Sequence, residues 1–138
     1  MDNEDLTKFQ NLMTSLQDPE KVKQAEQIYC NLVQENIRQV IEFHFQNYFS
    51  NHVSRNMSLI LLCNLCKLSP SFLQEDSSDF NQHVLHQINT LFQTSTYNNM
   101  KTISLIVQYV GSRLYAINQW ETFPNDLIQL CVNEKVDG

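Results

Sequence analysis

Two glycines in 138 residues, Gly111 and Gly138, leave no material for a glycine-rich phosphate loop. Prolines number only three. Sheets joined by tight turns draw heavily on both residue types, so their scarcity points to helices linked by short polar loops. Nor is there a long apolar run. The longest, Met57–Leu68, is too short for a bilayer and carries Asn64 and Lys67, so no membrane insertion is expected. The first residues, MDNEDLTKF, are polar and acidic, with no basic stretch leading into an apolar one, and do not read as a secretory leader. Basic charge is short as well: nine Lys and Arg stand against fifteen Asp and Glu, for a net charge of −6. Such a surface repels phosphate, which makes nucleic acid a poor partner and basic proteins better ones.

What is present is helical periodicity, with 42% hydrophobic residues to build a core. Asn and Gln are abundant but sit among periodic apolar residues, unlike a prion-like tract. Leu6, Phe9, Leu12, Met13 and Leu16 stripe a first helix over 4–16, capped by Asp2 or Asn3. Asp18-Pro19 restarts the chain, because proline at a first helical position loses no hydrogen bond. Val22, Ala25, Ile28, Tyr29 and Leu32 stripe a second helix over 19–34. Asn36 is placed as the cap of a third over 37–49, with Ile37, Val40, Ile41, Phe45, Tyr48 and Phe49 inward. A fourth, over 53–68, is assigned the inward face Val53, Met57, Ile60, Leu61, Cys63, Leu65 and Leu68. Being apolar over most of its circumference, it is expected to be the most buried helix.

A loop over 71–77 comes next, with Phe72 and Leu73 tucked onto the core. Asp76, Ser77 or Ser78 caps a helix over 79–93, and another runs over 98–115, relaxed or thinned near its end by Gly111. Phe123-Pro124 opens a last helix over 125–133. A two-helix unit thus recurs over 4–35, 37–68 and 79–115, with the start of a fourth over 123–133. Such recurrence is the mark of a solenoid, an architecture that offers surface to macromolecules more than chemistry to substrates. The half repeat at the end reads as part of a longer array.

Chemistry is sparse. Cys63-x-x-Cys66 and His83-x-x-His86 could in principle make a tetrahedral zinc site. Both cysteines fall inside an apolar helix, however, and the chain has a core of its own, so buried thiols and surface histidines are the preferred reading. Mid-helix placement also argues against a redox pair. The four cysteines, with Cys30 and Cys131, fit a reducing, soluble compartment. His44 and His52 are read as solvent-facing or partly buried. Phe43, Phe45, Tyr48 and Phe49 are read as core rather than as a base-stacking surface. Lys8, Lys21 and Lys23 alternate with Glu20 and Glu26 and read as a solvated face. No catalytic arrangement stands out, and the expectation is a non-enzyme without a cofactor.

Three segments carry a resemblance: SLQDPEKVKQAEQIYCNL at 15–32, SRNMSLILLCNL at 54–65, and NNMKTISLIVQYV with INQWETFP at 98–110 and 117–124. In their order and separation the chain resembles the amino-terminal HEAT repeats of the importin-β (karyopherin-β) nuclear transport receptors, nearest the importers of ribosomal proteins and histones. Leu16, Asp18-Pro19 and Ala25-Glu26 match the first repeat of that family, Arg55 with Met57–Leu62 the second, and Asn118, Gln119 and Trp120 the loop before the fourth. Pro124 is displaced from that loop, and Cys63 and Asn64 stand where the family carries basic residues.

The resemblance implies an all-α HEAT-repeat α-α superhelix of three helical hairpins plus part of a fourth. It implies binding of the small GTPase Ran in its GTP form by the second helices of the first repeats. Lys23, Gln27, Asn56, Asn64, Lys67, Lys101 and Gln108 are the candidate contacts. It also implies a cytoplasmic and nuclear location at the nuclear pore, and basic cargo and Phe-Gly nucleoporins as partners of a longer parent protein. The alternative is a HEAT-repeat scaffold subunit for protein–protein interactions outside transport.

Overall fold

The computed structural model describes residues 3–50, 53–123 and 125–126. Among them are five α-helices and no strand: α1 (Asn3–Ser15), α2 (Val22–Phe49), α3 (Arg55–Leu68), α4 (Ser78–Gln93) and α5 (Met100–Ala116), with a 3-10 turn at Pro70–Phe72. The helix expected over 125–133, with Pro124 and Cys131, falls outside the described residues apart from 125–126, as do Asp2 and His52. The chain divides into two compact units, Met1–Leu65 and Cys66–Gly138.

In the first unit α2 is continuous in name only. Asn36 has φ −159° and ψ 84°, far from helical values. Its side chain accepts a hydrogen bond from the Gln39 backbone N–H at 3.2 Å and so caps the second limb. The two limbs fold back on each other there. Tyr29 Oη and His44 Nε2, fifteen residues apart, lie 2.8 Å from one another. Along a straight helix that separation would be about 22 Å. The break expected at Asn36 is therefore real.

The turn into α2 is also a capped one. Asp18 Oδ1 accepts from the Glu20 N–H at 3.0 Å, and the Asp18 carbonyl accepts from Lys21 and Val22 at 3.0 and 2.9 Å. Regular helix begins at Val22 rather than Pro19, a difference within the first turn.

Phe9, Leu12 and Met13 of α1 are buried with Val40, Ile41, Phe43 and Phe45 of the second limb. Ile28 and Phe49, expected inward, are instead exposed at the margins of this core. Phe9 stacks on Phe43 with ring centroids 5.1 Å apart and meets the His44 ring edge-on at 4.9 Å. The second limb is joined to α3 by a buried polar knot: Asn47 Nδ2 donates to Ser54 Oγ at 3.2 Å and to Ser58 Oγ at 2.7 Å. The Arg55 guanidinium lies over the Tyr48 ring, 4.4 Å from its centroid.

In the second unit α4 packs on α5, and the Pro70–Phe72 turn packs on α5 as well. Val84, Ile88 and Leu91 form a core with Ile103, Ile106, Val107, Val110 and Leu114. Phe72 and Leu73 are buried, as the sequence led one to expect, and Phe72 meets Phe80 edge-on. Three side chains hold the loop after the 3-10 turn by its carbonyls. Arg113 Nε donates to Leu73 O at 2.9 Å, Asn81 Nδ2 to Gln74 O at 2.7 Å, and Gln119 Nε2 to Glu75 O at 2.8 Å.

The end of α5 is a Schellman cap, the Asn118 and Gln119 N–H groups donating to Tyr115 O and Leu114 O. Asn118 takes φ 61° at the position where glycine is usual. Gly111 does not thin the helix: it is buried, and a Cβ there would collide with the ring of Phe123.

Candidate functional site

Surface, not cavity, distinguishes this molecule. Among the described residues, each unit carries an open cleft with an apolar floor. In the first unit a cleft of about 640 Å³ lies among Phe9, Leu12, Ile28, Leu32 and Phe43, with Gln39 at its margin. In the second, a cleft of about 570 Å³ lies among Leu85, Phe92, Val107 and Trp120, with His86 and Asp126 polar. Trp120 is fixed there by donating from Nε1 to Asp126 Oδ2 at 2.6 Å, and its ring lies 4.9 Å from that of Phe123. Among the described residues no three His, Cys, Asp or Glu side chains gather as a metal site. Cys63 and Cys66 are buried, Cys30 is exposed, and His83 lies on the surface of α4, 3.4 Å from Gln87.

His44 corrects the sequence reading. It is fully buried, not solvent-facing. Burial lowers its pKa from 6.5 to about 3, so it stays neutral in the folded protein at ordinary pH. Burial, with a smaller effect from Cys30, likewise raises the Tyr29 phenol above its usual value. The pair, walled by Phe9, ties the two limbs of α2 together. No spacing rule flags it, because the partners come from opposite sides of the Asn36 fold.

All seven residues chosen from the sequence are exposed. Lys23 and Gln27 are one helical turn apart on the first limb of α2, and Gln27 donates to Asn31 Oδ1 at 3.2 Å. Asn56, Asn64 and Lys67 share one face of α3, and Lys101 and Gln108 share one face of α5. The loop residues that carry the resemblance are instead structural: Asn118 caps α5, Gln119 clasps the loop and accepts from Asn81 at 2.6 Å, and Trp120 is tied to Asp126.

Helix α3 departs most from expectation. The buried side is Ser58, Leu59, Leu62, Cys63, Leu65 and Cys66. Of the side assigned inward from the sequence, Cys63 and Leu65 are buried as expected, but Ile60 is 52% exposed and Leu68 77%, with Val53, just before the helix, at 88%. Met57 and Leu61 are half-buried. An apolar helix has two equivalent phases by periodicity alone, and the Asn47–Ser54–Ser58 knot selects the one that buries two serines. Only the second limb of α2, over 37–49, is more densely buried than α3.

No family model matches the sequence, no curated protein is significantly similar to it, and no solved structure matches its fold. Among the described residues, no helix is long and apolar enough to cross a membrane.

Proposed function

We propose that this chain is a helical-repeat segment that binds another protein through the outward faces of its second helices. The observation that carries this is α3. A helix with a fully packed inner side nevertheless presents Ile60, Leu68, Asn56, Asn64 and Lys67 to solvent. Contiguous exposed apolar groups interleaved with polar ones are what a protein interface requires and what a surface without a partner avoids.

On the resemblance of 15–32, 54–65 and 98–124 to importin-β amino-terminal repeats, the repeats are of HEAT type and the partner is Ran in its GTP form. Lys23, Gln27, Asn56, Asn64, Lys67, Lys101 and Gln108 make the contact. In a longer parent, Ran-GTP and cargo would favour different curvatures of the superhelix and so displace each other. Transport at the nuclear pore follows from that reading alone. The order of helices supports it: a hairpin folded at Asn36, a tight polar junction at Asn47–Ser58, and a paired α4 and α5.

The test is retention of Ran by the immobilised chain, with Ran loaded with GTP or GDP. Selective retention of the GTP form, weakened by Lys67→Glu and Lys101→Glu, is the expected result. Absence of retention in both states removes the transport reading and leaves the scaffold one.

A further inference from the structure

The exposed stripe on α3 has a definite geometry and a definite charge. Met57, Ile60, Leu61, Asn64 and Leu68 recur at spacings of three and four, so they form one ridge along a helix of fourteen residues. From Met57 to Leu68 the ridge is about 17 Å long. Asn56 and Lys67 border the ridge. The outward face of α5 is more polar, with Lys101, Ser104, Gln108 and Ser112 around a half-buried Leu105 and Tyr115 at its end. The stripe also lies where the chain has no carboxylate: none occurs between Glu42 and Glu75, although the whole chain carries −6. Within α3 the only ionised groups are Arg55 and Lys67.

We propose that the outer face of α3 docks an amphipathic helix of another protein, one whose apolar stripe is flanked by carboxylates. A ridge at three-and-four spacing fits the groove of a second helix. Arg55 is turned inward over the Tyr48 ring, so the charge on the outer face is that of Lys67, which favours acidic flanks and repels basic ones. A second copy of this chain is the poorer occupant. Two α3 ridges packed together would hold Lys67 of each in a seam to which α3 brings no carboxylate, on bodies that already repel through their net charge. The inference rests on α3 being a binding helix but not on Ran: either experiment can fail while the other succeeds.

The test uses the full chain and two labelled helical peptides about as long as α3, with leucines at spacings of three and four. One has glutamates flanking the leucines, the other lysines, and binding is read by fluorescence anisotropy. The glutamate peptide is expected to bind about tenfold more tightly than its lysine twin. That preference should shrink as salt rises and reverse in Lys67→Glu. Ile60→Asp should weaken binding about tenfold or more, while Ser112→Asp on α5 leaves it unchanged. Circular dichroism confirms that Ile60→Asp stays folded, and Ile60→Asn replaces it if it does not. Equal affinity for the two peptides, or no binding of the glutamate peptide, overturns the proposal. So does a dimer of the chain that Ile60→Asp dissociates, which would make a second copy the occupant.

Discussion

Helices α3 and α5 are alike on the inside, while on the outside α3 exposes more aliphatic surface. Leu59, Leu62 and Leu65 on one, and Ile103, Ile106 and Val110 on the other, are packed away in their own units. Outward, α5 offers hydroxyls, an amide and a lysine, with Leu105 half-buried among them and an exposed apolar ring at Tyr115, the ordinary solvated face of an amphipathic helix. Helix α3 offers isoleucine, leucine and methionine. Burial of apolar area drives each unit's folding, yet on α3 much apolar area is left in water after that gain has been taken. Stability does not call for those side chains, which is why they are read as recognition rather than core.

The contrast can be broken most forcefully by truncation on the two sides of α3. Leu62→Ala, on the inner side, should cost about 2–5 kcal/mol through lost burial and an unfilled space. Ile60→Ala, two residues away on the outer side, should cost well under about 1 kcal/mol. Urea unfolding of the two variants measures both, and similar losses would mean that the outer face is packed.

Acid sharpens the account of the first unit. His44 binds a proton near pH 6.5 when unfolded but only near pH 3 when folded. Between those values the unfolded state holds more protons, so stability falls as pH falls, by up to about 1.4 kcal/mol per pH unit. Above pH 6.5 the group has no such effect. Stability curves of the native chain and His44→Phe, compared across this window, should differ in slope, the variant being the flatter.

The smallest effect lies in the second unit. Asn118 holds a left-handed conformation at the end of α5, where glycine carries no Cβ penalty. Asn118→Gly should leave stability unchanged or raise it by up to about 1 kcal/mol, whereas Asn118→Val should lower it, both read from thermal midpoints.

Helix positions are readable from the sequence to within about a turn, because apolar spacing and turn chemistry agree: Asp18-Pro19 starts a helix, and Asn36 interrupts one through its own side-chain oxygen. The phase of α3 is not readable. Leu59, Ile60, Leu61 and Leu62 are all apolar, so spacing alone cannot choose between two faces, and the choice falls to Ser54 and Ser58 bonding Asn47. His44 escapes the sequence for a related reason: its burial depends on Tyr29 arriving from the other limb. The seven polar residues are legible as exposed because each lies opposite a buried stripe or within the outward face of its helix.

Thiol labelling of introduced cysteines, against the slow background of the buried Cys63 and Cys66, tests the outward face of α3 most directly. In a chain with Cys30 and Cys131 replaced by serine, Ile60→Cys is compared with Ile106→Cys, whose native isoleucine is fully buried. Position 60 should react with a maleimide almost as fast as a small free thiol, and position 106 only at the rate of unfolding. Slow labelling at position 60 in the folded, monomeric chain would contradict the account, because the side of α3 assigned to recognition would then be part of the core.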